Sequence, residues 1–277
     1  MDAAAHALLG TVLLTGAAGT LGQVLAPPLQ AACTRLIRSD LAAPLAALAA
    51  LAGAEAQACD LADASALHHL LHGVDAVVHL GGVAVEGPFE PILQANIRGL
   101  HNLYEAARRQ GTRRIVFASS NHVTGCYGVT DAVRPTDPAR PDGQYGLSKL
   151  FGEGLASLYF DRYGIETVSL RIGTATPTPP DRRALASWIS HADLVRLVLA
   201  ALRARDVGAL VVYGTSANSA RWYDSDAGWA RIGYQPQDNA ERFRAAVGHL
   251  PVDADPASVM NHLQGGLLLG IGPFDVV

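Results

Sequence analysis

Residues 11–22, TVLLTGAAGTLG, place a short apolar run directly before a glycine-rich turn and the start of a helix. In such a turn Gly16 permits the tight bend, Gly19 lets the backbone approach a pyrophosphate, and Gly22 lets helix and strand pack closely. The helix N-terminus adds free N–H groups and a partial positive charge. The spacing predicts a dinucleotide-binding turn, whose expected cofactor contacts are Gly16, Ala18, Gly19, Thr20, Leu21 and Gly22.

Six apolar runs follow one another along the chain, separated by segments long enough for a helix. They span 11–14, 34–37, 75–80, 114–118, 166–170 and 209–213. This alternation is typical of a parallel sheet that is covered on both faces. The predicted fold class is α/β, a Rossmann-type doubly wound parallel sheet with a small C-terminal substrate lobe.

Helical patterns occupy the segments between these runs. We predict helices over 91–110, ended by Gly111, and over 145–163, ended by Gly164. A third helix begins at Ser190, with Asp193 in a capping-box-like position. The second helix is expected to bury a broad apolar face, made of Leu147, Leu150, Phe151, Leu155, Leu158 and Tyr159.

The length of 277 residues fits one domain, 1–277, of the NAD(P)-binding Rossmann-like type. After Arg171 the pattern changes to a Thr- and Pro-rich loop and, later, a polar and aromatic stretch. We expect the substrate lobe to be formed mainly by 172–190 and 215–277.

Composition narrows the class of protein. The formal net charge of −4 gives no basic patch of the kind that nucleic-acid binding needs. The three cysteines lie far apart and without a metal-ligand spacing, so we expect reduced thiols and no metal site. We find neither a signal-peptide pattern nor an apolar run that could span a membrane, and we expect a cytoplasmic protein.

An acidic residue about twenty positions after the glycine turn commonly binds the adenosine ribose. Asp40 has this spacing, and its carboxylate favours NAD because it repels a 2′-phosphate. The alternatives are that Asp40 only caps the next segment, or that Arg38 accepts a 2′-phosphate. Asp60 and Leu61 fit a contact with the adenine edge.

Tyr145 and Lys149 are four residues apart, which places both side chains on one helix face. A tyrosine with its ordinary pKa of about 10 is a poor base near neutrality, and a nearby ammonium favours the phenolate. Ser120 follows the strand that ends near Ala118 and is placed to orient a substrate alcohol. These three residues are the candidate catalytic group.

With these motifs the chain resembles the extended short-chain dehydrogenase/reductases and, within them, the bacterial uronate dehydrogenases. The likeness covers roughly the whole chain. It is carried by the glycine turn, Asn96 and the segments 79–82 (HLGG), 117–122 (FASSNH), 140–143 (RPDG), 145–149 (YGLSK) and 171–173 (RIG). The SSNH sequence is the most distinctive of these.

The resemblance implies NAD-dependent oxidation of C1 of galacturonate or glucuronate to an aldarolactone. Tyr145 would take the C1 hydroxyl proton, with Lys149 lowering the tyrosine pKa and binding the nicotinamide ribose. Ser120 would bond to the reacting oxygen and Asn96 would support a water-linked proton path. Further implied cofactor contacts are Leu80, Gly81, Gly82, Asn96 and Ser119, and implied sugar contacts are Asn121 and His122.

A uronate carboxylate calls for a bidentate guanidinium. Arg183 has the position that the family gives this arginine, and the adjacent Arg182 is the alternative. Thr174 matches a small hydroxyl residue near the carboxylate. Ala84 departs from the family, which has a serine there, and this leaves the preferred uronate open.

Two other functions stay open at this stage. One is a sugar-nucleotide epimerase or dehydratase on the same fold, although only about a hundred residues follow Arg171 to hold a nucleotide. The other is an inactive NAD-binding regulator, which would not need to keep Tyr145, Lys149 and Ser120 together. We expect a small-molecule uronate partner, no nucleic acid or membrane partner, and a homo-oligomer.

Overall fold

Seven parallel strands form one sheet in the computed structural model, which describes residues 8–274. The outermost positions of the expected domain, 1–7 and 275–277, lie outside the described residues. The sheet order is β3-β2-β1-β4-β5-β6-β7, so the direction of winding reverses between β1 and β4. The strands are β1 (Leu9–Thr15), β2 (Cys33–Asp40), β3 (Ala54–Ala58), β4 (Ala76–His79), β5 (Arg114–Ser120), β6 (Glu166–Ile172) and β7 (Ala209–Gly214).

Helices cover both faces of this sheet. One apolar core packs the sheet against α1 and α8, and the other packs it against α3, α5 and α6. The helices are α1 (Thr20–Ala32), α2 (Ala42–Ala46), α3 (Ala64–Leu70), α4 (Phe89–Ile92), α5 (Gly99–Gln110), α6 (Gln144–Tyr163), α7 (Ala184–Ser187), α8 (His191–Arg203), α9 (Asp226–Ile232) and α10 (Arg244–Val247). This arrangement confirms the predicted Rossmann-type α/β class.

The seventh strand, β3, was not among the predicted strands. Its sequence, AEAQA, has no β-branched or aromatic residue and gives no apolar run. It pairs only with β2, at the edge of the sheet, where the partial exposure of its residues removes the demand for apolar side chains. Its register with β2 nevertheless places Asp40 beside Ala58 at the carboxyl edge.

The helix ends agree well with the expected stop and start signals. Gly111 and Gly164 adopt left-handed backbone conformations, with φ of +79° and +69°. The Ser190 hydroxyl accepts from the Asp193 backbone N–H at the start of α8. The helix predicted over 91–110 instead contains a π-helical segment, Leu93–Arg98, between α4 and α5.

The predicted apolar face of α6 is only partly buried. Leu155 and Tyr159 pack in the core, whereas Leu147, Phe151 and Leu158 are exposed to 54%, 38% and 48%. The buried side of the helix also carries the polar residues Ser148 and Lys149. Apolar patterning alone therefore does not define the buried side of this helix.

The residues expected to form the substrate lobe contain short helices and loops. Residues 173–180 are irregular, as expected, and Trp188 lies in a small apolar core with Leu185, Ala240 and Val247. A second small cluster joins Tyr213 at the end of β7 to Tyr223 and Val133. Within residues 8–274, none of the helices combines the length and the apolar character needed to cross a bilayer.

Candidate active site

The glycine turn after β1 forms a cradle for phosphate groups. Gly16 has a φ of +68°, and a Cβ at Gly22 would overlap the Gly16 carbonyl oxygen and the Ala17 backbone. Gly19 precedes α1 without a side-chain cap, and the first turn of α1 carries no acidic residue. The N–H groups of this helix end are therefore available to an anionic ligand.

Two adjoining cavities run along the carboxyl edge of the sheet and meet at Gly16 and Val83. The first, of about 450 Å³, is lined by Asp40, Asp60 and Leu61 among others. The second, of about 360 Å³, is lined by the residues of the turn and by the candidate catalytic group. A dinucleotide with its pyrophosphate at the turn would place one nucleoside in each cavity, so the residues present fit such a cofactor.

Asp40 ends β2 at the first cavity. Its Oδ2 accepts from the Ala18 backbone N–H at 2.9 Å, and its Oδ1 accepts from that of Leu41 at 2.8 Å. Arg38 is buried and donates to the Ala49 carbonyl at 3.0 Å. Because Arg38 is held by backbone outside the cavity lining, the geometry favours Asp40 over Arg38 as the ribose-side group.

Tyr145, Lys149 and Ser120 line the second cavity together. All three are buried, with exposed fractions of 8%, 6% and 4%. Lys149 Nζ lies 5.5 Å from the centroid of the Tyr145 ring. Lys149 is also the only lysine in the chain, since the other 20 of its 21 basic residues are arginines.

Burial dominates the electrostatics of this pair. The pKa of Tyr145 is raised to about 12, mainly by loss of solvation and to a smaller extent by the charge of Asp142. The hydrogen bond with Ser120 acts in the opposite direction and lowers it. Loss of solvation also lowers the pKa of Lys149 to about 8. The net shift of the Tyr145 pKa is therefore upward, opposite to the depression expected from Lys149, because burial outweighs the favourable contacts.

Asn96 lies in the π-helical segment, and both its amide oxygen and its amide nitrogen form hydrogen bonds at the site. Its Oδ1 accepts from the Val83 N–H at 2.8 Å, and its Nδ2 donates to the Val83 carbonyl at 3.0 Å and to Ser148 Oγ at 2.9 Å. It therefore joins the loop after β4 to the helix that carries Tyr145. Leu80, Gly81 and Gly82, the other predicted contacts of this loop, line the two cavities.

Two buried carboxylates that position α6 were missed at the sequence level. Glu86 accepts from the N–H groups of Gln144 and Tyr145, at 3.0 and 2.9 Å, and so caps the helix. Glu153 accepts from Ser119 Oγ at 2.6 Å and from both Nε and Nη2 of Arg171. Of the two, only Glu153 could have been suspected from the sequence, because it follows Lys149 by one turn of the same helix.

The predicted sugar contacts Ser120, Asn121 and His122 all line the second cavity, as does Ala84. Arg183 lies behind Asn121 rather than in the cavity lining. With the Asn121 amide oriented to satisfy both its ends, Oδ1 accepts from Arg183 Nη2 at 2.9 Å.

Around Arg183, Thr174 Oγ1 accepts from Nη1 at 3.4 Å, and the Gln264 carbonyl accepts from Nε. Arg182 is exposed, and its backbone N–H donates to the Leu250 carbonyl. Arg183 is thus the arginine nearer to the cavity. Among residues 8–274 no group of three His, Cys, Asp or Glu could hold a metal ion.

Comparison with known proteins agrees with this geometry. The model of the NAD dependent epimerase/dehydratase family matches residues 12–189. A uronate dehydrogenase of Pseudomonas syringae pv. tomato is 50% identical, over 95% of this chain and 94% of its own length. This chain belongs to the uronate dehydrogenase branch of that family. The uronate dehydrogenase of Agrobacterium fabrum is likewise 50% identical, over 92% and 95% of the two chains.

Solved uronate dehydrogenase structures share the whole fold. The crystal structure of the Agrobacterium tumefaciens enzyme, as a tyrosine-to-alanine mutant complexed with NAD, superposes with a TM-score of 0.90. It is 47% identical and covers 97% of this chain and 100% of its own. An epimerase of UDP-glucuronic acid from Bacillus cereus, at 19% identity and a TM-score of 0.69, shares the fold alone with this uronate dehydrogenase family member.

Proposed function

We propose that this protein is an NAD-dependent oxidoreductase that acts on a CH–OH group, a uronate dehydrogenase. It oxidises C1 of D-galacturonate or D-glucuronate to the aldarolactone. One observation carries the proposal: Ser120, Tyr145 and Lys149 line a single cavity that adjoins the glycine turn, in a chain about 50% identical to uronate dehydrogenases.

The cofactor is NAD, held by the glycine turn at its pyrophosphate and by Asp40 at its adenosine ribose. Asp60, Leu61, Gly81 and Gly82 line the adenosine cavity, whereas Leu80 and Ser119 line the second cavity, to which we assign the nicotinamide. When bound, NAD⁺ accepts the hydride from C1 and adds a positively charged ring beside Tyr145.

Tyr145 takes the proton of the C1 hydroxyl as the C1–H bond breaks, and the C1–O bond becomes the lactone carbonyl. A phenol with a pKa near 12 needs positive charge nearby to do this, and Lys149 provides part of it. Ser120 donates to or accepts from the reacting oxygen and keeps it near Tyr145. Through its hydrogen bonds to Val83 and Ser148, Asn96 holds the loop after β4 against α6. We assign to it the support of a water-linked proton path.

The sugar lies between the nicotinamide end of the cleft and the residues of the substrate lobe. We assign Asn121 and His122 to its hydroxyls and Arg183, with Thr174, to its carboxylate. Arg183 lies next to the cavity, behind Asn121, whose oxygen it contacts at 2.9 Å. Ala84 lines this cavity without a hydroxyl, and we assign to it an influence on the choice between the two C4 epimers.

The test is absorbance at 340 nm with purified protein, NAD⁺ and either galacturonate, glucuronate or UDP-glucuronate. We expect NADH formation with the free uronates, and loss of turnover with retained NAD binding in Tyr145→Phe. Conversion of UDP-glucuronate to an isomer without NADH accumulation, followed by chromatography, would favour an epimerase-like enzyme, because such an enzyme regenerates its NAD⁺ in each turnover. NAD binding without turnover of any sugar would favour the regulator, and an active Tyr145→Phe would refute the role of the tyrosine.

We also propose a homo-oligomer and a cytoplasmic location. The exposed apolar side chains of α6, Leu147, Phe151 and Leu158, support association of copies. The three cysteines are unpaired thiols, as a reducing compartment requires. Light scattering after gel filtration tests the first proposal, since a monomeric mass of 29.0 kDa would contradict it.

A further inference from the structure

A buried carboxylate lies behind His122 in the catalytic cavity. Asp142 Oδ2 is 2.6 Å from His122 Nδ1, and its side chain is only 1% exposed. A carboxylate can only accept hydrogen bonds, so the contact with an Asp142 carboxylate requires the hydrogen on Nδ1. In the neutral ring, Nε2 then has a free lone pair and no hydrogen.

The carboxylate is confined by glycines on three sides. A Cβ at Gly125 or at Gly265 would overlap Asp142 Oδ2, and a Cβ at Gly146 would lie 3.1 Å from Oδ1. The Asp142 backbone N–H also donates to the His122 carbonyl at 3.3 Å. Because these glycines carry no side chain, the backbone approaches the carboxylate closely, with Oδ2 facing His122 and Oδ1 without a hydrogen-bond partner among residues 8–274.

His122 itself faces the second cavity. It lines the cavity with Ser120 and Tyr145, and its ring meets the Tyr145 ring edge-on at 6.0 Å between centroids. Asp142 occupies Nδ1, and within residues 8–274 no hydrogen bond uses Nε2. Nε2 is therefore the ring nitrogen left for a ligand.

We infer that Asp142 is a positioning residue that makes His122 Nε2 a hydrogen-bond acceptor, so that the bound sugar must offer a hydroxyl hydrogen there. The inference rests on the proposed function and adds a rule for the substrate. A uronate with a free hydroxyl at that position is accepted. A uronate that is deoxygenated or O-methylated there leaves Nε2 unpaired and is rejected, because a buried polar group without a partner is costly.

The direct test reads the tautomer. In protein labelled with ¹⁵N-histidine, His122→Gln assigns the His122 signals among those of the ten histidines. At pH 8 we expect a protonated Nδ1 and an unprotonated Nε2. A protonated Nε2, in either the other tautomer or an imidazolium, would overturn the inference. This measurement needs no substrate, so it stands even if the protein oxidises no uronate.

The kinetic test is Asp142→Asn, which keeps the shape of the side chain but can donate to Nδ1 and so move the ring hydrogen to Nε2. We expect kcat/KM for the uronate to fall about tenfold to a hundredfold, with Kd for NAD unchanged. The control is Asp161→Asn, which removes an exposed carboxylate of α6 and should leave kcat/KM as it was. A folded Asp142→Asn with wild-type kcat/KM would overturn the inference, and if this variant fails to fold, the tautomer of the wild-type protein decides.

Discussion

Replacing Lys149 with methionine should stabilise the protein while it abolishes turnover. Burial lowers the pKa of Lys149 from 10.5 to about 8. At about 1.36 kcal/mol per pKa unit, the charged lysine costs the folded state about 3 kcal/mol at pH 7. Methionine fills a similar volume without a charge to desolvate, so Lys149→Met should gain about that amount.

The gain should depend on pH in a defined direction. At pH 7 the lysine is charged in both the folded and the unfolded state, and the full cost is present. Between about pH 8 and 10.5 the folded protein has lost the proton and the unfolded chain still binds it, so the stability of the wild-type protein rises with pH through this window. The advantage of Lys149→Met should therefore fall to about 1 kcal/mol at pH 9.5.

Urea unfolding at pH 7 and pH 9.5 measures both values, with activity followed by absorbance at 340 nm. The control is Arg205→Met, which removes an exposed cation and should change the free energy of unfolding by less than about 0.5 kcal/mol. The reasoning is refuted if Lys149→Met is no more stable than the wild-type protein at pH 7, or if its advantage does not shrink as the pH rises.

Four further variants test other parts of the cleft. Gly22→Ala places a Cβ against the backbone of the glycine turn, so calorimetry with NAD should show weaker binding; unchanged Kd would contradict the close packing. Asp40→Ala should narrow the preference for NAD over NADP by about tenfold or more in kcat/KM, and an unchanged ratio would mean that Asp40 only holds the turn. Arg183→Ala should raise KM for uronates about tenfold or more with little effect on Kd for NAD, whereas unaltered kinetics would remove Arg183 from the carboxylate site. Glu86→Gln weakens the cap of the catalytic helix and should lower the free energy of unfolding by about 1 kcal/mol, which thermal unfolding would detect; equal Tm values would show that the cap contributes little.

The parts of the fold that depend on local pattern were predictable from the sequence. The glycine turn, the helix stops at Gly111 and Gly164 and the cap at Ser190 each follow from one residue's backbone or hydrogen-bonding properties. β3 was not predictable in this way, because an edge strand of alanine, glutamate and glutamine has no apolar pattern. β3 forms because it pairs with β2, and this pairing exists only once the sheet has folded.

The candidate site shows the same division. Tyr145 and Lys149 were found because four residues on a helix form a local relationship. Glu86 caps a helix 58 residues further along the chain, and no spacing rule connects the two. The buried side of α6 was only partly predicted, because apolar patterning identifies Leu155 and Tyr159 but gives no sign that Ser148 and Glu153 are also buried.

A chain with one lysine has a practical consequence for anyone who handles it. Apart from the amino terminus, reagents that acylate or alkylate primary amines have a single target, Lys149, which lines the cavity with Ser120 and Tyr145. Coupling to an amine-reactive resin or fixation with an aldehyde would therefore attach few molecules, or would inactivate the molecules that are attached through Lys149. For the same reason, the rate at which such a reagent modifies Lys149 would report the fraction of molecules whose cleft is occupied by a ligand.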